Sequence, residues 1–300
     1  MGSVKRKALL ILMLFVGLVL VACLPLHAQN ARPPGSIQLT YRFAPGTAVR
    51  YQISQRLTGT RKLPGASAPS PIDAELTSTI RVRCVRILAD GSLDLEISTE
   101  SASLKMAGRP AASYQPPKEI RKVRITPIGK VIGPATPSQE PGRQRSPLDF
   151  GSIESIVLMA ILPDGPVDIG GAWTAELPLP IDSTSKLKLA FALEKVESTP
   201  DGQVARIKQT LSTPINPGAS SDSAPRGSQE GQAELLFSVD RGILLSAQGM
   251  IKSTVAVPVP VPMVPGGQQP QDNIATVVLD SKFGVQLLPG MEGAGESVGR

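Results

Sequence analysis

Catalysis near neutral pH relies on side chains that titrate or attack there, and this chain of 300 residues carries few: one histidine, His27, and two cysteines, Cys23 and Cys84. A single imidazole close to the start of the chain allows neither a histidine-based triad nor a multi-histidine metal centre. Paired acids, or a serine activated by a lysine, need no histidine and stay open. Asp90, Asp201 and Asp240 each stand in an Asp-Gly or Asp-Arg-Gly group where apolar runs reverse, the ordinary setting of a turn aspartate. Gly129-Lys130 is not a phosphate loop, because no upstream glycine has the right spacing and no hydroxyl residue follows the lysine. The residues therefore nominate no catalytic group, no metal ligand and no cofactor.

Chemistry of another kind is readable at the start. Lys5, Arg6 and Lys7 precede the apolar stretch 8–22, which is too short for a comfortable membrane span and is soon followed by Pro25. That is the pattern of an export signal. Leu20-Val21-Ala22-Cys23 resembles the bacterial lipoprotein box, in which the signal is cut before the cysteine and the cysteine is acylated. The resemblance implies a signal over 1–22, lipid of the palmitate type on Cys23, and a lipidated tether over 23–36 that makes the membrane a partner. It places the protein in the bacterial cell envelope, anchored and facing an aqueous extracytoplasmic compartment. The alternative is an ordinary signal cut after Ala28 in Leu26-His27-Ala28, giving a secreted or periplasmic soluble protein.

Loss of residues 1–22 removes three basic residues and no acidic ones, so a formal charge of +6 falls to +3 (6 − 3). With no basic patch interleaved with aromatics and no nucleic-acid module, no nucleic-acid partner is expected.

The elements that would position any site are mostly strands. Alternation places Ile80, Val82 and Cys84 on one face, then Leu93, Leu95 and Ile97, and later Leu187, Leu189, Phe191 and Leu193. Ile37–Tyr41 and Ala48–Ile53 read as two strands joined at Ala44-Pro45-Gly46, with an exposed excursion over 60–73. Cys84 reads as a small buried hydrophobe, the alternative being a disulfide to Cys23.

Similar patterns flank 147–175, which predicts a mainly β fold: a curved antiparallel sheet or β-sandwich of two similar halves, 37–132 and 171–288. Between them a connector, 133–170, carries Ile153, Ile156, Val157, Met159 and Ala160 at helical spacing. A short helix between Asp149 and Leu162, stopped by Pro163, is expected to cover the sheet, the alternative being a buried strand over 156–159. Residues 289–300 read as a flexible tail.

Tyr41-Arg42-Phe43-Ala44-Pro45-Gly46, the Asp90-Gly91 turn, the run 162–167, Gly171-Ala172-Trp173 and the run 237–242 together resemble families of uncharacterised bacterial exported β-domains that often bear lipoprotein signals. A more distant, fold-level resemblance is to periplasmic lipoprotein carriers, whose curved antiparallel sheet holds acyl chains. That analogy makes Ile153, Ile156, Met159 and Trp173 candidates for a groove, while the residues themselves also allow Trp173 to be plain core.

Three readings of function stand at this point. The first is a noncatalytic cell-envelope lipoprotein that binds an apolar ligand or a protein partner. The alternatives are a structural or envelope-assembly protein, and an enzyme with an unrecognised carboxylate or serine site.

Overall fold

Apolar and polar residues alternate through much of the chain, and in most places where they do so the structure, a computed structural model, has long antiparallel strands. It describes residues 35–108, 111–114, 120–132, 160–179, 182–215, 226–258 and 274–290. The strands are β1 (Ala48–Lys62), β2 (Ser70–Ile87), β3 (Leu93–Met106), β4 (Ala112–Tyr114), β5 (Ile120–Ile125), β6 (Ala172–Leu179), β7 (Asp182–Thr199), β8 (Gly202–Ile215), β9 (Arg226–Ser238), β10 (Ile243–Pro258) and β11 (Ile274–Leu287). A strand of 14 residues is about 46 Å long, far beyond what an ordinary two-layer core needs.

All eleven belong to one sheet in the order β4-β3-β2-β1-β11-β10-β9-β8-β7-β6, with β5 also on β3. Along that order every neighbour but one is also a neighbour in sequence, β5 on β3 being off it. The exception is β1 with β11, paired from Tyr51↔Leu287 to Lys62↔Thr276. Beyond that seam β3 is edged by β5 along Leu93–Ser98 and by β4 along Ala102–Leu104.

This architecture corrects several expectations. The two halves do not form separate layers of a sandwich, because β1 and β11 fuse them into a single curved sheet. The described residues contain no helix, and Ala160, Ile161 and Leu162, at the end of the stretch expected to be helical, belong to no regular element, with the Leu162 amide bonded to the Ile128 carbonyl. The rest of that helix and its strand alternative, including Ile153, Ile156 and Met159, lie outside the described residues. The excursion over 60–73 shrinks to a turn at 63–69, since Arg61 pairs with Ser70. Ile37–Tyr41 does not pair with β1 but leaves the sheet.

That departing chain closes one end of the fold. Residues 36–43 and 160–171 form a strap outside the named strands, zipped at Ile37↔Val167 by two bonds of 2.9 Å. The Tyr41 amide donates to Pro127 at 2.7 Å and that of Arg42 to Gly242 at 2.9 Å. Trp173 Nε1, on β6, donates to the Ile161 carbonyl at 2.7 Å. Because Ile128 follows β5 and Trp173 lies on β6, strands from opposite ends of the sheet order reach the same three residues, 160–162. The sheet is thus curled about the strap, although β6 pairs with neither β4 nor β5 among the described residues.

Leu39, Tyr41 and Phe43 of the strap are buried in the main core with the inward side chains of both halves. The Tyr41 ring meets Phe237 edge-on at 5.4 Å. Gly129 is needed beside it: its φ is +86°, and a Cβ would stand 2.8 Å from Tyr41 Cε2. Burial pushes the ionisation of both Tyr41 and Tyr51 above the ordinary phenol range.

Candidate functional site

Register assigns each inward position to a level across the sheet. One level runs Trp173–Phe191–Gln209–Ala233–Gly249–Phe283–Gln55–Leu76 through six strand pairings and the seam. On the strap side of it the face is filled by the core. On the far side the strands continue for several more inward positions, among them Leu57, Leu211, Ile215, Val255 and Leu279, all buried. A second apolar cluster there, Ile215 and Val255 with Leu187 and Val257, consists of strand residues alone. Among the described residues, those that pack on this face from outside the strands sit at the strap end.

Towards β3 the same face ends in Leu104 and Met106, exposed by 42% and 40%. The opposite face is polar and laced with ion pairs, such as Lys186 with Glu176 at 2.8 Å and Arg206 with Glu197 and Glu234. One face of a very long sheet is therefore apolar and concave, and the other suits water.

Polar groups within the apolar face are few. Gln55 Nε2 donates to Ser281 Oγ at 3.0 Å, and Thr213 Oγ1 accepts from the Lys188 amide at 2.8 Å. Two others find no partner. Gln209, 2% exposed, has an unpaired Nε2, and Ser78, 1% exposed, an unpaired Oγ. A third unpaired atom, Arg206 Nε, is on the polar face in a guanidinium already held by two glutamates. Leaving a buried amide or hydroxyl unpaired costs about 1–3 kcal/mol, so Gln209 and Ser78 stand out from the rest of the face.

Of the residues nominated from sequence, Cys23, Ile153, Ile156 and Met159 lie outside the described residues. Trp173 is half-buried on β6 and stacks on Phe191 with ring centroids 5.4 Å apart and planes 9° from parallel. It stands on the same level as Gln209, one strand beyond Phe191. Cys84 is a free buried thiol, pushed up by burial, and makes no disulfide. Asp90 caps its turn by accepting from the Ser92 amide at 3.0 Å, and Asp240 accepts from the Gln203 amide at 2.7 Å. Among the described residues no group of His, Cys, Asp or Glu side chains is placed to hold a metal ion.

Gln209 and Ser78 were not nominated from sequence. The signal was available: each is a polar residue in the apolar phase of an alternating strand, Gln209 between Ile207 and Leu211, Ser78 between Leu76 and Ile80.

No protein-family profile matches the chain, and no curated protein does. Among solved structures it is similar to lipovitellin, in a structure of its lipid–protein interactions, at 11% identity and a TM-score of 0.43. That likeness takes in 86% of this chain and 27% of the other, so this chain spans about a quarter of lipovitellin's length. A DUF1329 family protein from Desulfovibrio piger follows at 8% identity and a TM-score of 0.16, over 82% of this chain and 90% of that one. A LolA superfamily protein from Nitrosomonas europaea has 9% identity and a TM-score of 0.11, over 82% and 88%. At such scores these likenesses carry no argument, and the function rests on the sheet itself.

Proposed function

We propose that this is a noncatalytic binding protein of the bacterial envelope, whose concave apolar face holds a lipid-like ligand. The observation that carries the reading is the length of that face: inward apolar side chains continue well past the strap that fills one end. Burying such surface against hydrocarbon contributes about 25 cal/mol per Å², so an acyl chain lying along the strands is the fitting occupant. Most side chains there are aliphatic or aromatic and the few polar ones are uncharged, which suits holding rather than converting a ligand.

The export signal and the sequence around Cys23 support an extracytoplasmic address, with lipidation of Cys23 as the means of attachment and the tether letting the sheet work in water. Native mass spectrometry of protein purified from envelopes, before and after lipid extraction, tests the binding. Lipid-sized adducts that extraction removes are expected, over and above any covalent lipid; their absence, together with no uptake of the fluorescent apolar probe N-phenyl-1-naphthylamine, overturns the reading. A structural or assembly role is the second reading, favoured by the exposed apolar rim at Leu104 and Met106.

A further inference from the structure

We propose that Gln209 makes the apolar face selective for lipids with an acyl carbonyl, an ester or amide, over hydrocarbon chains of the same length. The inference rests on the apolar-ligand reading and deepens it. Gln209 lies inward on β8, 2% exposed, between Ile207 and Leu211 along the strand. Across the strands its neighbours at the same level are Phe191 on one side and Ala233 on the other. Its Nε2 carries two N–H donors and bonds to nothing in the protein.

A leucine at this position would continue the apolar phase with no unpaired group, as Ile207 and Leu211 do. An amide there disfavours a purely hydrocarbon occupant, which leaves the donors unpaired, and favours one that brings an acceptor. The surroundings shape what fits. Ala233 and Gly249, successive on that level, are small, and the Phe283 ring lies over Gly249, where an added Cβ would come within 2.8 Å of Cζ. An acyl chain along the strands with its carbonyl oxygen at Gln209 Nε2 meets both demands: methylenes against the aliphatic levels, and one strong acceptor against the amide.

The test compares 1-palmitoylglycerol with 1-hexadecylglycerol, which differ only in a carbonyl replaced by a methylene, as competitors of N-phenyl-1-naphthylamine bound to the delipidated full-length mature protein. The ester is expected to compete more strongly by about three- to tenfold, the worth of one neutral hydrogen bond. In Gln209→Leu the two should compete equally while the probe still binds. Equal competition in the wild-type protein overturns the selectivity, attributes the unpaired amide to a trapped water, and leaves the apolar-ligand reading intact. A preference that survives in Gln209→Leu overturns the assignment to Gln209. A wild-type protein that binds no probe overturns the apolar-ligand reading and this inference together. Should Gln209→Leu fail to fold, Gln209→Met and the wild-type comparison decide the matter.

Discussion

The hydroxyl of Tyr41 donates a hydrogen bond of 3.0 Å to the carbonyl oxygen of Ala160, 119 positions away in the chain. The two residues belong to the two lengths of the strap, so this one bond helps fix both across the closed end. Tyr41→Phe is expected to cost about 1–2 kcal/mol by leaving a buried carbonyl short of a donor. Tyr41→Ala, which also empties the space against Phe237, should cost about 3–5 kcal/mol. Chemical denaturation followed by circular dichroism measures both; a Tyr41→Phe variant as stable as wild type would show that the hydroxyl contributes little.

Trp173 joins β6 to the strap through its indole N–H and to β7 through its stack on Phe191. Trp173→Phe keeps most of the stack and loses the bond, for about 1 kcal/mol, whereas Trp173→Ala loses both and should cost about 3–5 kcal/mol. As Trp173 is the single tryptophan of the chain, its fluorescence reports this junction directly. Ligand taken up on that same level, at Gln209, should shift its emission, and an unchanged spectrum on saturation with 1-palmitoylglycerol would place the ligand elsewhere.

Asp240 reaches from the β9–β10 turn to the β7–β8 turn, where Gly202, at φ +108°, leaves it room. A Cβ on Gly202 would stand 2.2 Å from Asp240 Oδ2. Gly202→Ala should therefore destabilise by about 1–3 kcal/mol through clash and backbone strain, and Asp240→Ala by about 1 kcal/mol through the lost bond. In the double variant the clash is gone, so the two losses should sum to more than is measured. Strict additivity would deny the contact.

Asp94 accepts from Arg124 at 2.6 and 3.2 Å and from Arg86 at 2.6 Å. The hydrogen bonds from Arg124 and then Arg86 hold its carboxyl down at about 2. Its folded value lies below the unfolded value of about 3.9, so the contribution is complete above about pH 5 and is lost as pH falls towards 2. Asp94→Asn should accordingly be less stable than wild type at neutral pH, by about 1 kcal/mol or less for so exposed a cluster, with the gap closing at pH 2. Urea titrations at three pH values would show the convergence; a gap that is constant with pH would assign the loss to packing.

Cys23→Ala should abolish lipid attachment and normal processing, while Cys84→Ala should leave both intact. Membrane fractionation and intact-mass analysis separate the two. A wild-type chain that begins at Gln29 without lipid would establish ordinary secretion in place of the anchor.

Much of the sheet was legible because alternation records burial directly: Leu93, Leu95, Ile97, Leu189, Phe191 and Leu193 all face inward as read. The turns at Asp90 and Asp201 were legible too, since local chemistry demands them. Pairing partners were not. Nothing in Tyr51 or Leu287 says that they lie side by side, because long-range register is settled by the whole sheet rather than by either strand. Ile37–Tyr41 alternates like a strand, yet Leu39 and Tyr41 do more as a plug than at an edge. Of the site, Trp173 was visible as a large aromatic, while Gln209 was hidden as one polar letter in an apolar phase whose meaning depends on its being buried and unpaired.

The seam between β1 and β11 also governs how the fold comes into being. The chain is synthesised from its amino end, so β1 through β5 emerge long before the strand that completes them, and until then β1 offers an open edge to any passing chain. Assembly must wait for about the last tenth of the sequence. A protein truncated before Ile274 would keep ten of the eleven described strands and still fall into two sheets, each with a new sticky margin, and aggregation is what such a truncation should produce.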